Sequence, residues 1–337
     1  MPDYSFWSNV KKNKPFTALA PMADVTDIAF RQMIVKYGKN IIASARRGKG
    51  GPTLLWTEFI SADGLASKDG KKALIKNLAF NENERPIIAQ IFGANPSTIR
   101  TAAALVKKLG FDGVDINMGC PDKAVVRQGA GSALIKNPKL ARLIIRAAKE
   151  GAGDMPVSVK TRIGFHTNEL ETWLPELLAE NPAAVTVHAR TKKDLSLVPA
   201  KWEMVKRAVE IRNMLKSKTL IIGNGDVKNL AEVIQRAKET GADGIMIGRG
   251  FFGTPWLLNS TMKSISLDGR LQILIEHTAL FEKLLVKKHI KNFAVMKKHF
   301  KAYVNGFEGA KELRVKLMEE GNTAHKVKKI IGTALGK

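Results

Sequence analysis

Short apolar runs rich in β-forming residues alternate with longer amphipathic segments from residue 16 to about residue 258. Eight βα units over roughly 243 residues match the usual size of a closed (β/α)8 TIM barrel, about 250 residues. A doubly wound sheet could also be drawn, but eight evenly spaced units favour the closed α/β barrel. The runs that we predict as strands cover residues 17–20, 54–57, 87–92, 113–116, 157–161, 184–188, 220–222 and 244–247.

Helical patterns separate these runs, and glycine follows several of them. A glycine just past the last periodic residue favours a left-handed helix end. The pattern predicts such ends at Gly38, Gly110, Gly151 and Gly241. The predicted helices cover residues 27–37, 96–109, 138–150, 169–180, 201–215 and 229–240.

The strand signal ends near residue 258, and only helical patterns follow, at residues 270–288, 293–304, 310–319 and 324–335. We therefore expect two domains: residues 1–258 as the barrel and residues 259–337 as a smaller, all-helical domain. The second segment carries 16 Lys and Arg residues against 7 Asp and Glu residues.

The whole chain carries a formal net charge of +24, from 55 Lys and Arg against 31 Asp and Glu. Such an excess favours a polyanionic partner, most simply nucleic acid. A basic proteome or a contribution to solubility would explain the same excess. The basic, glycine-rich stretch 45–52, with Arg46 and Pro52, could contact a phosphate backbone or form a solvated loop.

Nothing in the sequence indicates a membrane protein or an exported one. No apolar stretch approaches the roughly 18 residues of a membrane span, and Met1–Lys14 lacks the apolar core of a signal peptide. A single cysteine excludes an internal disulfide and agrees with a reducing compartment. We expect a cytoplasmic monomer that binds no membrane.

The single cysteine, Cys120, lies in the pentapeptide Asn117-Met118-Gly119-Cys120-Pro121, directly after the apolar run 111–116. If that run is a buried strand, the thiol lies on the loop at its carboxyl end, where parallel α/β folds place their chemistry. An isolated cysteine is otherwise a small buried hydrophobe.

Other polar residues also occupy predicted strand ends. Lys160 and Arg162 alternate on one strand, and buried cations need an anion or a polarisable ring. His188 ends the next strand and is followed by Arg190. Gln90 lies within an apolar run, so its amide needs a partner, and the edge of a cofactor would be one.

Glycine-rich loops follow the last two predicted strands, at residues 223–226 and 248–250. In barrels these loops commonly bind phosphate, and Arg249 would add a charged contact. The stretch 248–253 also matches GxGxxG, but it ends the eighth unit and no acidic residue follows at the required distance, so a Rossmann site is rejected. No Walker A motif is present, and no Cys/His cluster offers a metal site.

Taken together, the motifs resemble the tRNA-dihydrouridine synthase family, flavin enzymes that reduce specific uridines of tRNA. The similarity extends over nearly the whole chain. The matching stretches, in the family's order, are APMADVTDIAFR, WTEFISADGL, AQIFG, DINMGCP, GAGSAL, VKTRIG, VHARTK, GNGDV, GADGIMIGRGFFGTPWLL and the C-terminal MKKHFKAYVNGFEGAKELR.

The resemblance implies a role for each matching residue. Cys120 would be the catalytic acid, NADPH the reductant and tRNA the substrate. Asn117, Arg162 and Arg190 would lie near the uracil. The basic candidates for tRNA contact in the C-terminal domain are Lys297, Lys298, Lys301 and Arg314. The residues implied to bind FMN are Pro21, Met22, Ala23, Gln90, Lys160, His188, Asn224, Gly225, Asp226, Gly248 and Arg249.

The sequence departs from the family pattern at two places. After HARTK the family usually shows an aromatic residue and a glycine before its tryptophan, whereas this chain has residues 194–201 as DLSLVPAK before Trp202. The stretch 45–52 is also unusual. Because both would face substrate, the sequence leaves the identity of the modified uridine open.

Two other functions are consistent with parts of the sequence. An FMN barrel oxidoreductase acting on a small free substrate would explain the barrel but leave the charge without a role. A non-catalytic tRNA-binding protein would explain the charge, but it would not explain why Cys120, Lys160 and His188 are present together.

Overall fold

The computed structural model describes residues 6–12, 14–38, 53–259, 262 and 265–336. In this part of the chain, eight parallel strands close into a barrel in which β1 pairs with both β2 and β8. The closed TIM barrel is confirmed over the doubly wound sheet. The strands are β1 (Phe16–Leu19), β2 (Thr53–Ser61), β3 (Ile87–Phe92), β4 (Gly113–Met118), β5 (Val157–Arg162), β6 (Ala184–His188), β7 (Leu220–Asn224) and β8 (Gly244–Ile247).

Four strands extend past their predicted carboxyl ends, since β2 reaches Ser61, β4 reaches Met118, β5 reaches Arg162 and β7 reaches Asn224. In each case the extension carries the strand into polar residues. The apolar pattern underestimates a strand whose final residues face a cavity. The stretch 45–52 lies outside the described residues.

Helices separate the strands as predicted, and short additional helices occur before β3 and after β4. Two of the four predicted glycine ends are left-handed, Gly110 at φ 80° and Gly241 at φ 70°. The other two predictions are wrong: Gly38 has φ −92°, and Gly151 lies inside a helix that ends at Gly153. The barrel helices are α1 (Phe6–Lys12), α2 (Ile28–Tyr37), α3 (Ala62–Ala66), α4 (Lys68–Leu74), α5 (Pro96–Lys108), α6 (Lys123–Arg127), α7 (Pro138–Ala152), α8 (Leu170–Leu178), α9 (Trp202–Met214) and α10 (Leu230–Thr240).

The interior of the barrel has an apolar layer near the amino ends of the strands. Successive side chains of a strand point to opposite faces, so every second residue faces inward. The lower inward positions include Phe16, Leu54 and Trp56, which pack with Phe6 and Trp7 of α1. Helix α1 thus closes the amino-terminal end of the barrel.

Four further α-helices form the C-terminal region: α11 (Leu267–Phe281), α12 (Lys297–Tyr303), α13 (Ala310–Glu320) and α14 (Ala324–Ala334). A π-helical turn, Glu282–Val286, extends α11. Ile28, Ala29 and Met33 of α2 share one apolar cluster with residues of this region. The predicted helical region is therefore present and docks on the barrel through α2. Within the described ranges, no helix combines the length and apolar character that crossing a membrane requires.

A buried lysine reinforces this docking. Lys291 places its Nζ 2.7 Å from Glu58 Oε1 and 3.4 Å from Asp24 Oδ1, with Asp27 Oδ2 at 3.7 Å. Burial alone would lower the pKa of Lys291, but attraction to Glu58 and Asp27 raises it above its usual value. Burial, with the charge of Glu58, raises the pKa of Asp27 to about 6. A single ammonium from the C-terminal region thus lies close to carboxylates of β2 and of the segment that precedes α2.

Two histidines are buried where the C-terminal region meets the barrel. The rings of His277 and His299 lie 4.5 Å apart, and Phe30 and Phe252 contact the ring of His299. Among the described residues, neither ring nitrogen of His299 has a hydrogen-bond partner. Burial lowers the pKa of His277 to about 3, and burial with nearby positive charge lowers that of His299 well below its usual value.

We predict that Lys291→Met lowers the free energy of unfolding by about 3 kcal/mol or more, because it leaves buried carboxylates without their cation. The matched control is Lys298→Met, since Lys298 is half exposed and, among the residues that the structure describes, forms an ion pair with Asp24 alone. That control should cost less than about 1 kcal/mol. Chemical denaturation measures both changes, and equal losses would contradict the burial argument.

The histidine pair predicts acid sensitivity. Both histidines are neutral in the folded protein, whereas an unfolded histidine titrates near pH 6.5. Their stabilisation is therefore complete above about pH 6.5 and is lost as the pH falls and the unfolded chain takes up protons. His299→Phe should reduce the slope of unfolding free energy against pH, between about pH 6 and 4.5, by roughly 1.4 kcal/mol per pH unit.

The control for this variant is His325→Phe, at an exposed position on α14. Denaturant titrations at several pH values compare the wild type with the two variants. All three proteins have the same carboxylates, so the contribution of carboxylate titration cancels when the slopes are compared. An unchanged slope in His299→Phe would show that His299 is not held neutral.

Candidate active site

A cavity of about 1060 Å³ opens at the carboxyl ends of the strands. Fifteen of the residues predicted for the site line it, whereas Lys297, Lys298, Lys301 and Arg314 lie outside it, in the C-terminal region. The predicted residues in the lining are Pro21, Met22, Ala23, Gln90, Asn117, Cys120, Lys160, Arg162, His188, Arg190, Asn224, Gly225, Asp226, Gly248 and Arg249.

Strand register brings these residues together. Gln90, Asp115 and Ser158 are paired positions on β3, β4 and β5, and Asn117 pairs with Lys160 one inward position further along. Inward positions near the carboxyl ends are therefore polar, in contrast to the apolar layer below them. Every second residue of several strands thus contributes a polar side chain to the same inner surface of the barrel. We call this surface, formed by Gln90, Asp115, Asn117, Ser158 and Lys160, the floor.

Lys160 lies on this floor, and its Nζ makes no hydrogen bond to another residue in the described part of the chain. Burial, together with the positive charge of Arg162, lowers its pKa to about 8, while Asp115 and Cys120 oppose that shift. The side chain is thus mostly protonated at neutral pH, with its charge directed at the cavity. This is a place for an anion or a polarisable ring.

Cys120 is half buried on the loop after β4, and side-chain and backbone contacts hold that loop. Asn117 Oδ1 accepts hydrogen bonds from the backbone N–H of Gly119 at 3.1 Å and of Cys120 at 2.8 Å. Ser132 N donates to Cys120 O at 3.0 Å. Gly131 has φ 60°, and an added Cβ would lie 2.9 Å from Cys120 O, so the GAGSAL motif requires glycine here.

Burial raises the pKa of the Cys120 thiol above its usual value, although the positive charges of Arg162 and Lys160 oppose the shift. The thiol is therefore protonated at neutral pH and can donate a proton. Because Cys120 lines the cavity, the structure does not favour the alternative interpretation of this cysteine as a small hydrophobic core residue.

Arg190 is buried, and its donors are directed at the protein. Its Nε donates to Val198 O at 2.6 Å, one guanidinium nitrogen contacts His188 Nε2 at 3.4 Å, and the other pairs with Asp226. Since the arginine can only donate, the neutral His188 ring carries its proton on Nδ1. Burial and the charges of Lys160 and Arg162 keep the pKa of His188 well below its usual value.

Arg162 also forms hydrogen bonds to loops at the edge of the cavity. It donates to Gly119 O at 2.8 Å, to Thr191 O at 3.0 Å and to Leu195 O at 3.2 Å. Together the two arginines hold residues 191–198, of which residues 194–198 belong to the stretch that departs from the family pattern. Leu195 adopts φ 52°, and Leu197 is 82% exposed at the cavity mouth.

The loops after β7 and β8 form the opposite side of the cavity. Gly225 has φ 136°, and an added Cβ would lie 2.7 Å from Ala200 Cβ. At Gly248 an added Cβ would come within 3.3 Å of Met22 Sδ. Asp226 pairs with Arg190 and with Arg249, whose side chain is otherwise 64% exposed.

Sequence reasoning missed part of the lining. The exposed apolar residues within 194–199 were noted only as a departure from the family pattern. Phe59, Lys228 and Arg236 were not singled out, although they line the cavity. Arg236 lies over the ring of Trp202, 5.4 Å from its centroid. The helical pattern of 229–240 gave no signal that Arg236 reaches the site.

Structural comparison shows the fold. The chain is similar to 2-naphthoyl-CoA reductase, with a TM-score of 0.53 and 12% identity over 78% of this chain and 53% of that one. It is also similar to 6-hydroxypseudooxynicotine amine oxidase of Pseudomonas geniculata N1, with a TM-score of 0.52 and 14% identity over 89% of this chain and 56% of that one. Both likenesses support the barrel architecture.

Sequence comparison shows the family. The chain is 36% identical over 321 residues, 95% of this chain and 93% of the relative, to the "Probable tRNA-dihydrouridine synthase" of Staphylococcus aureus (strain MRSA252). It is 36% identical over 320 residues, with the same coverage, to the "Probable tRNA-dihydrouridine synthase 2" of Bacillus subtilis (strain 168). The family model described as "Dihydrouridine synthase (Dus)" matches residues 18–334, and the chain belongs to this family.

Proposed function

We propose that this protein reduces the C5=C6 bond of uridine in tRNA, with FMN as its cofactor and NADPH as the electron donor. The observation that carries the proposal is that a protonated thiol, Cys120, and an ammonium without a hydrogen-bond partner among the described residues, Lys160, line the same cavity in a chain of this family.

The cavity suits a flat ring attached to a phosphate. Its volume is about 1060 Å³, enough for a cofactor together with a substrate base. Lys160 lacks a protein partner within the described residues, and Gly248 keeps the wall beside Met22 open. Arg249 and Lys228 supply positive charge beside the glycine-rich loops, where barrel folds bind phosphate.

The residues that would hold FMN divide by position. Pro21, Met22, Ala23, Gln90 and Lys160 would contact the ring system. Asn224, Gly225, Gly248 and Arg249 would surround the phosphate, with Asp226 orienting Arg249 and His188 packed alongside. When bound and reduced by NADPH, FMN supplies the hydride that adds to C6 of the uracil.

The protein supplies the proton. The Cys120 thiol donates to C5 as the hydride adds to C6, so one C–H bond forms at each carbon and the double bond is lost. The thiolate left behind is stabilised by the positive charges of Arg162 and Lys160, which already favour the ionised sulfur. Solvent returns the proton, because the side chain is only half buried.

The substrate must enter as a base turned out of folded tRNA. We propose that residues 259–337 act as a tRNA-binding domain beside the barrel. Lys298 and Lys301 are exposed on α12, whereas Lys297 donates to Met318 O and Arg314 to Val304 O at 2.8 Å. The first pair is therefore better placed to contact phosphates, and the second pair stabilises the fold of the region.

The proposal includes a monomer acting in the cytoplasm. The single thiol is consistent with a reducing compartment, because its protonated, unoxidised form is the one that the chemistry needs.

We predict that Cys120→Ala lowers dihydrouridine formation at least about 100-fold, since a positioned acid contributes that much or more. Flavin absorbance and NADPH oxidation should persist, because Cys120 does not reduce the cofactor. The assay is nucleoside mass analysis of unmodified tRNA, where the product gains two hydrogen atoms, run with NADPH and NADH in parallel.

Two results of that assay would contradict the proposal. Bound, reducible flavin in the wild type with no product on several tRNAs would favour a small free substrate. No flavin at all would favour a non-catalytic tRNA-binding protein.

The thiol itself gives a separate prediction. Because burial raises the pKa of Cys120, its alkylation by iodoacetamide should reach half its maximal rate at a higher pH in the folded protein than in the same chain unfolded in urea. The chain has one cysteine, so the signal is unambiguous. An equal or lower midpoint in the folded protein would argue against a protonated acid.

A further inference from the structure

A buried carboxylate lies below Cys120 and is connected to its loop by side-chain amides. Gln90 Nε2 donates to Asp115 Oδ2 at 2.7 Å, and Asn117 Nδ2 donates to Gln90 Oε1 at 3.0 Å. Asn117 Oδ1 then accepts from the backbone N–H of Gly119 and of Cys120. We call Asp115, Gln90 and Asn117 the relay.

The direction of the relay is determined at both ends. Asp115 is fully buried, and burial raises its pKa only to about 6, so at neutral pH it is ionised and can only accept. Backbone N–H groups can only donate, so Asn117 must present its oxygen to the loop. Gln90 must therefore present its nitrogen to Asp115, and Asn117 must present its oxygen to the backbone N–H groups. In these orientations the nitrogen of Asn117 faces the oxygen of Gln90, as the hydrogen bond between the two amides requires.

We propose that Asp115 is a positioning residue for Cys120, acting as the hydrogen-bond acceptor at the root of the relay. It keeps the Gln90 amide turned so that its oxygen receives Asn117, and Asn117 in turn holds the thiol loop over the cavity. The inference rests on the proposed function only in taking Cys120 as the proton donor. The restraint of the loop by Asn117 does not depend on that function.

A competing role for Asp115 is that of counter-ion to Lys160. Its carboxylate does attract the Lys160 ammonium through space. No hydrogen bond joins the two among the described contacts, whereas Gln90 and Ser158 both donate to the carboxylate. The acceptor role and the charge role predict different effects of neutral substitutions.

The test compares Asp115→Leu with Asp115→Asn. The first removes the acceptor and leaves Gln90 Nε2 without a partner. The second removes only the charge, because an amide oxygen still accepts from Gln90 while the Ser158 hydroxyl turns to accept from the amide nitrogen. The matched control is Ser158→Ala, which deletes a different donor to the same carboxylate and leaves the relay in place.

The primary measurement is hydrogen exchange of the Gly119 and Cys120 amides, with iodoacetamide alkylation of the single thiol as the second. Asp115→Leu should accelerate both by about tenfold or more, because two loop hydrogen bonds weaken together. Asp115→Asn and Ser158→Ala should remain within about threefold of the wild type. Where tRNA reduction is assayed, Asp115→Leu should lower kcat and leave KM for tRNA unchanged.

Two outcomes would overturn the proposal: equal effects of Asp115→Asn and Asp115→Leu, which assign a charge role, or no effect of Asp115→Leu. If Asp115→Leu does not fold, Gln90→Leu interrupts the relay one side chain nearer the thiol and should accelerate exchange similarly. Unchanged exchange in that variant would also overturn the proposal. Failure of the wild type to reduce tRNA would refute the proposed function but leave the exchange result standing.

Discussion

The alternation of side chains along eight parallel strands is the constraint on which the rest of this structure depends. Inward positions near the amino ends are apolar, and Phe6 and Trp7 of α1 seal them from below. Inward positions near the carboxyl ends are polar and leave a cavity of about 1060 Å³. Above the apolar layer, Gln90, Asp115, Asn117 and Ser158 are joined by hydrogen bonds, and Lys160 faces the cavity beside them.

Positive charge dominates that site, and it determines the protonation of the neighbouring groups. Lys160, Arg162 and Arg190 surround the cavity, and the His188 ring beside them stays neutral. The thiol of Cys120 stays protonated because burial outweighs the attraction of the nearby cations. The same cations favour the ionised sulfur, so they would stabilise a thiolate at this position.

The C-terminal helices are joined to the barrel close to the cavity. Lys291 from this region pairs with Glu58 on β2 and with Asp24, the neighbour of the cavity-lining Ala23. The tRNA-binding role that we propose for this region would place the substrate beside the cavity mouth. The contact between the two regions combines the apolar cluster shared with α2 and the ion pairs of Lys291.

The sequence by itself determined the barrel and the helical C-terminal region, because period, glycine punctuation and strand-end residues are local signals. Strand-end residues and the family resemblance together predicted fifteen of the residues that line the cavity. The sequence also marked Gln90 as a buried amide in need of a partner. Only the tertiary structure decided that this partner is Asp115, that Arg190 directs its donors to the protein, and that Arg236 reaches the cavity. Those facts depend on which strands and loops become neighbours, and strand register and barrel closure specify that across residues far apart in the chain.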